Sequence, residues 1–220
     1  MINRETQLCM SLAGRPGNFG TRFHNYLYEK LGLNFIYKAF TTQDIAAAVG
    51  GVRALGIRGC AVSMPFKESC MPFLDAIDPS ARVIDSVNTI VNDNGRLTGL
   101  NTDYIAVKSL IDSHQLDTRA SVMIQGSGGM GKAVIAAFRD AGFRDVVIAA
   151  RNRDSGLALA KQYGFSGSRS LKGSGSIFWS TSRRSAWPAA RIATLWRSAS
   201  RWLGRLRWCS TWWRCRRKHR

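Results

Sequence analysis

The stretch Gly126-Ser127-Gly128-Gly129-Met130-Gly131 decides the fold of the second half of this 220-residue chain. Its first, third and sixth residues match the pattern G-x-G-x-x-G. An apolar run at 121–125 precedes it, and a helix-like stretch at 130–141 follows it. In that setting the first glycine permits a tight turn, the second lets the backbone approach a pyrophosphate, and the third lets the helix pack closely on the strand. The stretch predicts a dinucleotide-binding turn with the helix N-terminus facing the phosphate. A glycine-rich turn without a ligand is the alternative.

The end of the next strand, at 145–150, indicates which dinucleotide binds. An NAD site usually carries an acidic residue there, about 20 residues after the glycines, to hold the ribose hydroxyls. This chain instead continues Arg151-Asn152-Arg153 and has no acid before Asp154. Because guanidinium groups pair well with phosphate, Arg151 beside Asn152 predicts NADP. A solvated surface arginine is the alternative interpretation.

Strand and helix signals alternate along the first 165 residues, which predicts an α/β protein with parallel sheets. We expect a substrate-binding catalytic domain at 1–103, a connecting helix and linker at 104–118, and an incomplete Rossmann-type NADP-binding domain at 119–166. Asn94-Gly95 marks a hairpin, Thr42 is a candidate helix cap, and Pro72 interrupts a helix-like stretch at 66–77. The remaining predicted strands lie at 7–12, 34–40, 59–64, 87–91 and 96–100, and the remaining helices at 21–31, 44–55, 103–113 and 154–163.

The charge of the chain is concentrated at its end. The net charge is +18, yet all fourteen acidic residues precede position 155, and residues 167–220 hold fourteen Lys and Arg and all seven tryptophans. This Ser/Arg/Trp-rich tail has no sustained hydrophobic period, so we expect it to be irregular. It is a basic-aromatic module for nucleic acid or membrane surfaces, a disordered extension, or the product of a shifted reading frame. We favour the frameshift because the change interrupts a cofactor domain of which only two strands are recognisable.

The rest of the chain carries little net charge, since residues 1–166 hold 18 basic against 14 acidic groups. That balance gives no support for a nucleic-acid partner. The N-terminus lacks a secretory signal, and no stretch approaches the roughly 18–20 apolar residues that cross a bilayer. Cys9, Cys60 and Cys70 lack metal-ligand spacing and adjoin apolar runs. We therefore expect a cytoplasmic protein with buried free thiols, no metal and no membrane contact. The sequence does not indicate its oligomeric state.

Three short segments of the first half carry groups suited to binding a polyhydroxy acid and moving a proton. Lys67 follows a buried strand and Pro65, Asn88 lies in the strand predicted at 87–91, and Asn101-Thr102-Asp103 joins the hairpin to a helix. Ends of strands are where α/β proteins place ligand groups. The plainer alternatives are a surface lysine, a turn-forming asparagine, and Asp103 as a helix N-cap.

Four motifs together resemble the shikimate dehydrogenase family in order and spacing. They are Met64-Pro65-Phe66-Lys67, Ser86-Val87-Asn88-Thr89, Asn101-Thr102-Asp103 and the turn at 126–131, and the resemblance covers about residues 5–165. It implies NADP-dependent hydride transfer between shikimate, or a related cyclic hydroxy acid, and 3-dehydroshikimate, a reaction of aromatic amino-acid biosynthesis. It also implies that Lys67 and Asp103 are the catalytic pair and that Asn88, Thr102 and Asn18 bind substrate. The residues at 126–131 with Arg151 and Asn152 would hold the cofactor.

Several departures from the family pattern point to its shikimate dehydrogenase-like branch. Where the family has S-x-S before an H-[ND] segment, this chain has Asn18 and Gly20 before His24. Two hydroxyl donors for the substrate carboxylate are therefore missing, and activity on shikimate is expected to be weak. Ala150-Arg151-Asn152 stands in place of N-R-[ST], and the family's later motifs do not occur after Phe165. An inactive remnant of such an enzyme is the alternative function.

Overall fold

The computed structural model describes residues 2–150 and 152–165 and the backbone of residues 177–180. It confirms the α/β class. The elements follow the chain as β1 (Gln7–Leu12), α1 (Asn18–Lys30), β2 (Phe35–Phe40), α2 (Ile45–Ala54), β3 (Gly59–Val62), α3 (Phe66–Ser69), β4 (Ala76–Ile77), α4 (Pro79–Arg82), β5 (Thr89–Asp93), β6 (Arg96–Leu100), α5 (Thr102–Ser113), β7 (Val122–Gln125), α6 (Gly129–Asp140), β8 (Val146–Ala149), α7 (Arg153–Tyr163) and β9 (Ile177–Ser180).

The first half forms a mixed sheet with the strand order β2-β1-β3-β5-β6-β4. β1 pairs in parallel with β2 and β3, whereas β5 runs antiparallel to both β3 and β6. The sheet is therefore mixed and not wholly parallel, and the hairpin predicted at Asn94-Gly95 supplies one of its antiparallel pairs. The antiparallel pairing of β5 with β6 follows from the hairpin at Asn94 and Gly95, whose φ angles of 52° and 89° suit the tight two-residue turn that the sequence predicted.

Of two local sequence predictions in this half, one is confirmed in part and the other is wrong. The stretch 66–77 is interrupted as predicted, because α3 ends at Ser69 and a 3₁₀ turn covers Met71–Phe73. Its last part is not helical, because Ala76–Ile77 pairs with β6. Pro72 accounts for the break, since it cannot donate a helical hydrogen bond. The cap of α2 is Asp44 and not Thr42, because the Asp44 carboxylate accepts the Ala47 N–H at 2.9 Å. Thr42 instead accepts the Asp44 N–H at 3.0 Å.

The second half forms a parallel sheet with the order β8-β7-β9 among the residues described. β9 comes from the Ser/Arg/Trp-rich tail and pairs with β7 from Val122 opposite Ile177 to Gln125 opposite Ser180. The expectations of an irregular tail and of two cofactor-domain strands are therefore wrong at residues 177–180. The rest of the tail, and with it the question of a shifted reading frame, lies outside the described residues.

Each half has its own hydrophobic core. Met10, Leu12, Val52, Ile90 and Leu97 are among the buried residues of the first core. The second core is built mainly from β7, α6 and β8, and its buried members include Val107 and Ile111 of α5. Helix α5 thus packs into the second core and does more than connect the two halves. The limits proposed for the two domains stay a prediction. No helix in the described part of the chain is both long enough and apolar enough to span a bilayer.

Candidate active site

The sheet topology brings the three polar segments of the first half to one edge. Lys67 follows the carboxyl end of β3, and Asn88 precedes β5, which runs the opposite way. Residues 101–103 follow β6, which reverses direction again. Asn18 follows β1, which is parallel to β3. All four segments therefore leave the sheet at the same edge, although up to 85 positions separate them in the sequence.

Lys67 and Asp103 form an ion pair at this edge. The Lys67 Nζ lies 3.0 Å from Asp103 Oδ2, and 22% and 31% of the two side chains are exposed. The Lys67 carbonyl accepts the Val87 N–H at 2.8 Å, which fixes its backbone beside the Asn88 segment. The pair is thus partly shielded and still reachable from solvent. Lys67 is not the isolated surface lysine of the plainer interpretation.

Asn88 and Asn101 fix the start of helix α5. Asn88 is 9% exposed, and its Oδ1 accepts the Thr102 N–H at 2.9 Å, the Thr102 hydroxyl at 3.1 Å and the Thr89 hydroxyl at 3.0 Å. Asn101 is the N-cap of α5, since its Oδ1 accepts the Tyr104 N–H at 3.1 Å. Asp103 is therefore not the N-cap, and its carboxylate is available to Lys67. Sequence reasoning did not assign this role to Asn101, although an Asn before a helix is a recognised capping signal.

The amide nitrogen of Asn88 takes no part in these bonds, which all use the oxygen. Within the described residues this nitrogen donates no hydrogen bond. No buried side-chain nitrogen or oxygen lacks a partner in this part of the chain, so the Asn88 nitrogen is reached by solvent. An amide with a fully engaged oxygen and a solvent-accessible NH₂ is a fixed donor for a ligand oxygen. The predicted substrate contact at Asn88 is therefore sterically feasible.

Helix α1 places Asn18 and Gly20 at the same sheet edge. It begins at Asn18, three residues earlier than predicted, and Gly17 caps it without a side chain. The loop before it is tied to the Lys67 segment, because the Gly14 N–H donates to the Met64 carbonyl at 2.9 Å. Asn18 is exposed. A Cβ at Gly20 would meet the Tyr37 ring and hydroxyl at ordinary distances of 3.7 and 3.8 Å, so packing does not require glycine there.

The glycine turn connects β7 with α6 as predicted. Gly126 has a φ of 124°, which favours glycine, and a Cβ on Gly131 would lie 2.5 Å from the Gly126 carbonyl oxygen. A Cβ on Gly128 or Gly129 would meet nothing within 4 Å. Helix α6 has no side-chain cap, and Met130 is 39% exposed. The first-turn N–H groups therefore face open space at the positive end of the helix dipole, which is the chemistry that binds a phosphate.

Strand order gives independent support for a ligand at this turn. β8 and β9 lie on opposite sides of β7, so the connections leaving β7 and β8 diverge at its carboxyl end. In open α/β sheets such a switch point forms the crevice that receives a ligand. Sequence patterns predicted the turn but not this strand order, because the third strand comes from a segment without a recognisable period.

The predicted 2′-phosphate site is described only in part. Arg151 lies outside the described residues. Asn152 is exposed and caps α7, with its Oδ1 accepting the Ser155 N–H at 3.1 Å. Its amide nitrogen keeps two donors for a ligand. Asn152 is thus held at the end of β8, in the place where a Rossmann-type site contacts the ribose.

Two charged residues that sequence reasoning missed join the two halves of the site. Glu68 Oε1 lies 3.0 Å from Lys132 Nζ, and these residues directly follow Lys67 and Gly131. Tyr104, which follows Asp103, donates its hydroxyl to Asp140 at 2.8 Å. Burial, with this hydrogen bond, raises the pKa of Tyr104 to about 12. Only proximity to the motifs could have marked these residues.

No group of metal-ligating side chains occurs in the described ranges.

Comparison with known proteins identifies the family of this chain. Residues 19–90 match the shikimate dehydrogenase substrate binding domain. The shikimate dehydrogenase-like protein of Haemophilus influenzae is 67% identical over 172 residues, which are 78% of this chain and 64% of that protein. The chain thus spans slightly less than two thirds of that relative.

Solved structures agree with this assignment. The structure of a shikimate 5-dehydrogenase-like protein superimposes with a TM-score of 0.79 at 63% identity and covers 83% of this chain and 68% of the other. The Thermus thermophilus shikimate 5-dehydrogenase, in complex with NADP(H) and shikimate, has a TM-score of 0.68 at 26% identity, with 83% and 74% of the two chains covered. Together, the shared fold, the extent of identity and the matched domain establish that this chain belongs to the shikimate dehydrogenase family, in its shikimate dehydrogenase-like branch.

Proposed function

We propose that the chain is an NADP-dependent oxidoreductase that transfers a hydride between the cofactor and the C3 position of shikimate/3-dehydroshikimate or a related cyclic hydroxy acid. The observation that carries the proposal is the Lys67–Asp103 pair, with 3.0 Å between Nζ and Oδ2, at the sheet edge that also holds Asn88 and Thr102. A proton donor, a carboxylate that orients it and a fixed amide donor are the groups that this reaction requires at the substrate oxygen.

The residues at 126–131 fit a dinucleotide. The open space beside Gly128 and Gly129 and the uncapped start of α6 give a pyrophosphate room and N–H donors. Arg151 and Asn152 would hold the 2′-phosphate, and the absence of an acid before Asp154 favours NADP over NAD. When bound, the cofactor supplies or accepts the hydride. The relative from Thermus thermophilus was solved with NADP(H) and shikimate, which supports both ligands.

Lys67 moves the proton in this proposal. In the direction of ketone reduction, its ammonium donates a proton to the substrate oxygen as negative charge develops there. Asp103 holds the ammonium in place at 3.0 Å. In the reverse direction, Lys67 returns to the protonated state by accepting the hydroxyl proton. The free NH₂ of Asn88 and the Thr102 hydroxyl orient the substrate hydroxyls.

Replacement of Lys67 tests this function directly. Loss of a positioned proton donor lowers turnover by about 10²–10⁴-fold, so Lys67→Ala should lose about that factor in kcat for NADPH-dependent reduction of 3-dehydroshikimate. Lys161→Ala, at an exposed position of α7, is the matched control. Unchanged turnover in Lys67→Ala would remove the assignment.

Cofactor binding distinguishes an enzyme from an inactive remnant. Saturating NADPH at about 100 times its Kd should stabilise the wild-type chain by about 2.7 kcal/mol, which thermal unfolding detects. A chain whose unfolding temperature does not change with NADPH is a remnant. DNA or lipid binding that depends on salt and disappears when residues 167–220 are deleted would instead indicate a basic binding tail.

The residues at the start of α1 restrict which substrates the site can bind well. Asn18 and Gly20 replace two hydroxyl donors, and at position 20 packing leaves room for a side chain. The missing hydroxyl is thus a difference in binding chemistry and not a packing requirement. We expect Gly20→Ser to lower the KM for shikimate, with Gly17→Ser as a control outside the helix. A KM that stays the same or rises in Gly20→Ser would contradict a carboxylate site at this position.

A further inference from the structure

The Glu68–Lys132 ion pair links the two halves of the candidate site. Lys132 Nζ lies 3.0 Å from Glu68 Oε1 across 64 positions of sequence. Glu68 is the neighbour of Lys67 in α3, and Lys132 follows the third glycine of the dinucleotide turn in α6. One contact therefore connects the segment of the proposed proton donor with the segment that would hold the cofactor.

Both ends of this contact are attached to rigid parts of the fold. In α3, Phe66 is 8% exposed, its N–H donates to the Ser63 carbonyl at 2.9 Å, and the Lys67 carbonyl accepts the Val87 N–H. In α6, the seven buried residues include the run from Ala133 to Phe138. The pair thus joins two firmly packed elements and not two mobile loops.

Helix α6 makes a polar contact at each end, with α5 of the same core at its last residue and with α3 of the first half in its first turn. At its last residue, Asp140 accepts the Tyr104 hydroxyl at 2.8 Å. In its first turn, Lys132 holds Glu68. The helix has 12 residues and is therefore about 18 Å long, so a tilt of about 5° around the Asp140 end would move the glycine turn by about 1.5 Å. The ion pair is placed to oppose that tilt.

We propose that Glu68 and Lys132 are positioning residues that fix the distance between Lys67 and the dinucleotide turn. The proposal rests on the proposed function for its kinetic part only. Hydride transfer is sensitive to this distance, because a displacement of about 1 Å at a reacting centre costs up to about 100-fold in rate. The pair itself contributes little to global stability, because Glu68 is 68% exposed. Its loss should therefore change the rate without unfolding the protein.

Charge removal at each partner tests the proposal. We expect Glu68→Gln to lower kcat about tenfold while the KM for substrate and the Kd for NADPH change less than about twofold. Lys132→Met should lower kcat similarly, and the double variant should be no slower than the slower single variant. Glu29→Gln, an exposed carboxylate of α1 without an ion pair in the described structure, is the matched control.

Hydrogen–deuterium exchange of the ligand-free chain gives a second measurement that requires no turnover. We expect Glu68→Gln and Lys132→Met to speed amide exchange in segments 64–70 and 126–134, and to leave exchange around Tyr104 and Asp140 unchanged. If wild type shows no turnover, the proposed function fails, and this exchange result alone decides on the pair. The positioning role is overturned if both segments exchange as in Glu29→Gln, or if the kinetic effects of the single variants multiply in the double variant.

Discussion

Replacing Gly131 with alanine tests the close packing of the dinucleotide turn. An added Cβ would lie 2.5 Å from the carbonyl oxygen and 2.9 Å from the carbonyl carbon of Gly126, both of which are backbone atoms. No rotamer change relieves such a contact, so α6 must move away from β7. Overpacking of this kind costs about 1–3 kcal/mol. The lower backbone entropy of alanine in the unfolded chain offsets this cost, because it stabilises the folded state by about 0.4–1 kcal/mol. These two ranges leave a net loss of about 1.3 kcal/mol at their midpoints, and of at most about 2.6 kcal/mol, in the free energy of unfolding.

Gly129 provides the matched control in the same turn. A Cβ there meets nothing within 4 Å, so Gly129→Ala should keep the wild-type stability or exceed it by up to about 1 kcal/mol. Urea unfolding gives both free energies, and thermal unfolding should place Gly131→Ala roughly 3–5 °C, and at most about 10 °C, below wild type. NADPH binding to Gly131→Ala should also weaken, because the N–H groups of α6 move with the helix. Equal urea midpoints for the two alanine variants would refute the packing argument.

Two further predictions concern the first half. Asn88→Ala should lower the free energy of unfolding by about 1–3 kcal/mol, because the Thr102 N–H and hydroxyl lose their acceptor. Asn88→Asp, which keeps an acceptor, should lose less in the same urea titration, and equal losses would contradict the role of the Asn88 oxygen. The hydrogen bond from Arg53, with that from the Leu97 N–H, lowers the pKa of Asp75. The stability that Asp75 contributes is therefore fully present above the unfolded pKa of about 4 and lost as the pH falls through the lower folded pKa. The difference in urea midpoint between wild type and Asp75→Asn should shrink below pH about 4, and a difference independent of pH would contradict this coupling.

Local sequence signals predicted most elements because their causes are local. The strand at 7–12 and the hairpin at Asn94-Gly95 occur as predicted, and the glycine turn connects the expected strand and helix. The break at Pro72 was predicted, but the strand at Ala76–Ile77 was not, because pairing with β6, and not local periodicity, produces it. Strand β9 was not predicted for the same reason, because it forms by pairing with β7. Elements that depend on a distant strand leave no period in their own sequence.

In the candidate site, too, the features with local causes could be predicted from the sequence and those that depend on distant contacts could not. The segments of Lys67, Asn88 and Asp103 could be selected from residue type and position after strands, and their order resembles one family. The positions of these segments relative to one another could not be predicted, because they depend on the direction of each strand. The Glu68–Lys132 contact was invisible to pattern analysis, since a charged pair 64 residues apart has no local signal. Asp103 was named as the candidate cap in place of Asn101 because both are residue types that cap helices.

The antiparallel strand β5 is what allows one site to form from these segments. If β5 ran parallel to β3, Asn88 at its start would lie at the opposite edge of the sheet from Lys67. A strand of five residues spans about 17 Å, which is beyond the reach of any hydrogen bond from Asn88 to Thr102. The reversal at Asn94-Gly95 also returns β6 so that residues 101–103 follow it at the edge of Lys67. A turn at the far end of the sheet, whose residues contact none of the proposed catalytic groups, therefore determines whether Asp103 can meet Lys67 at all.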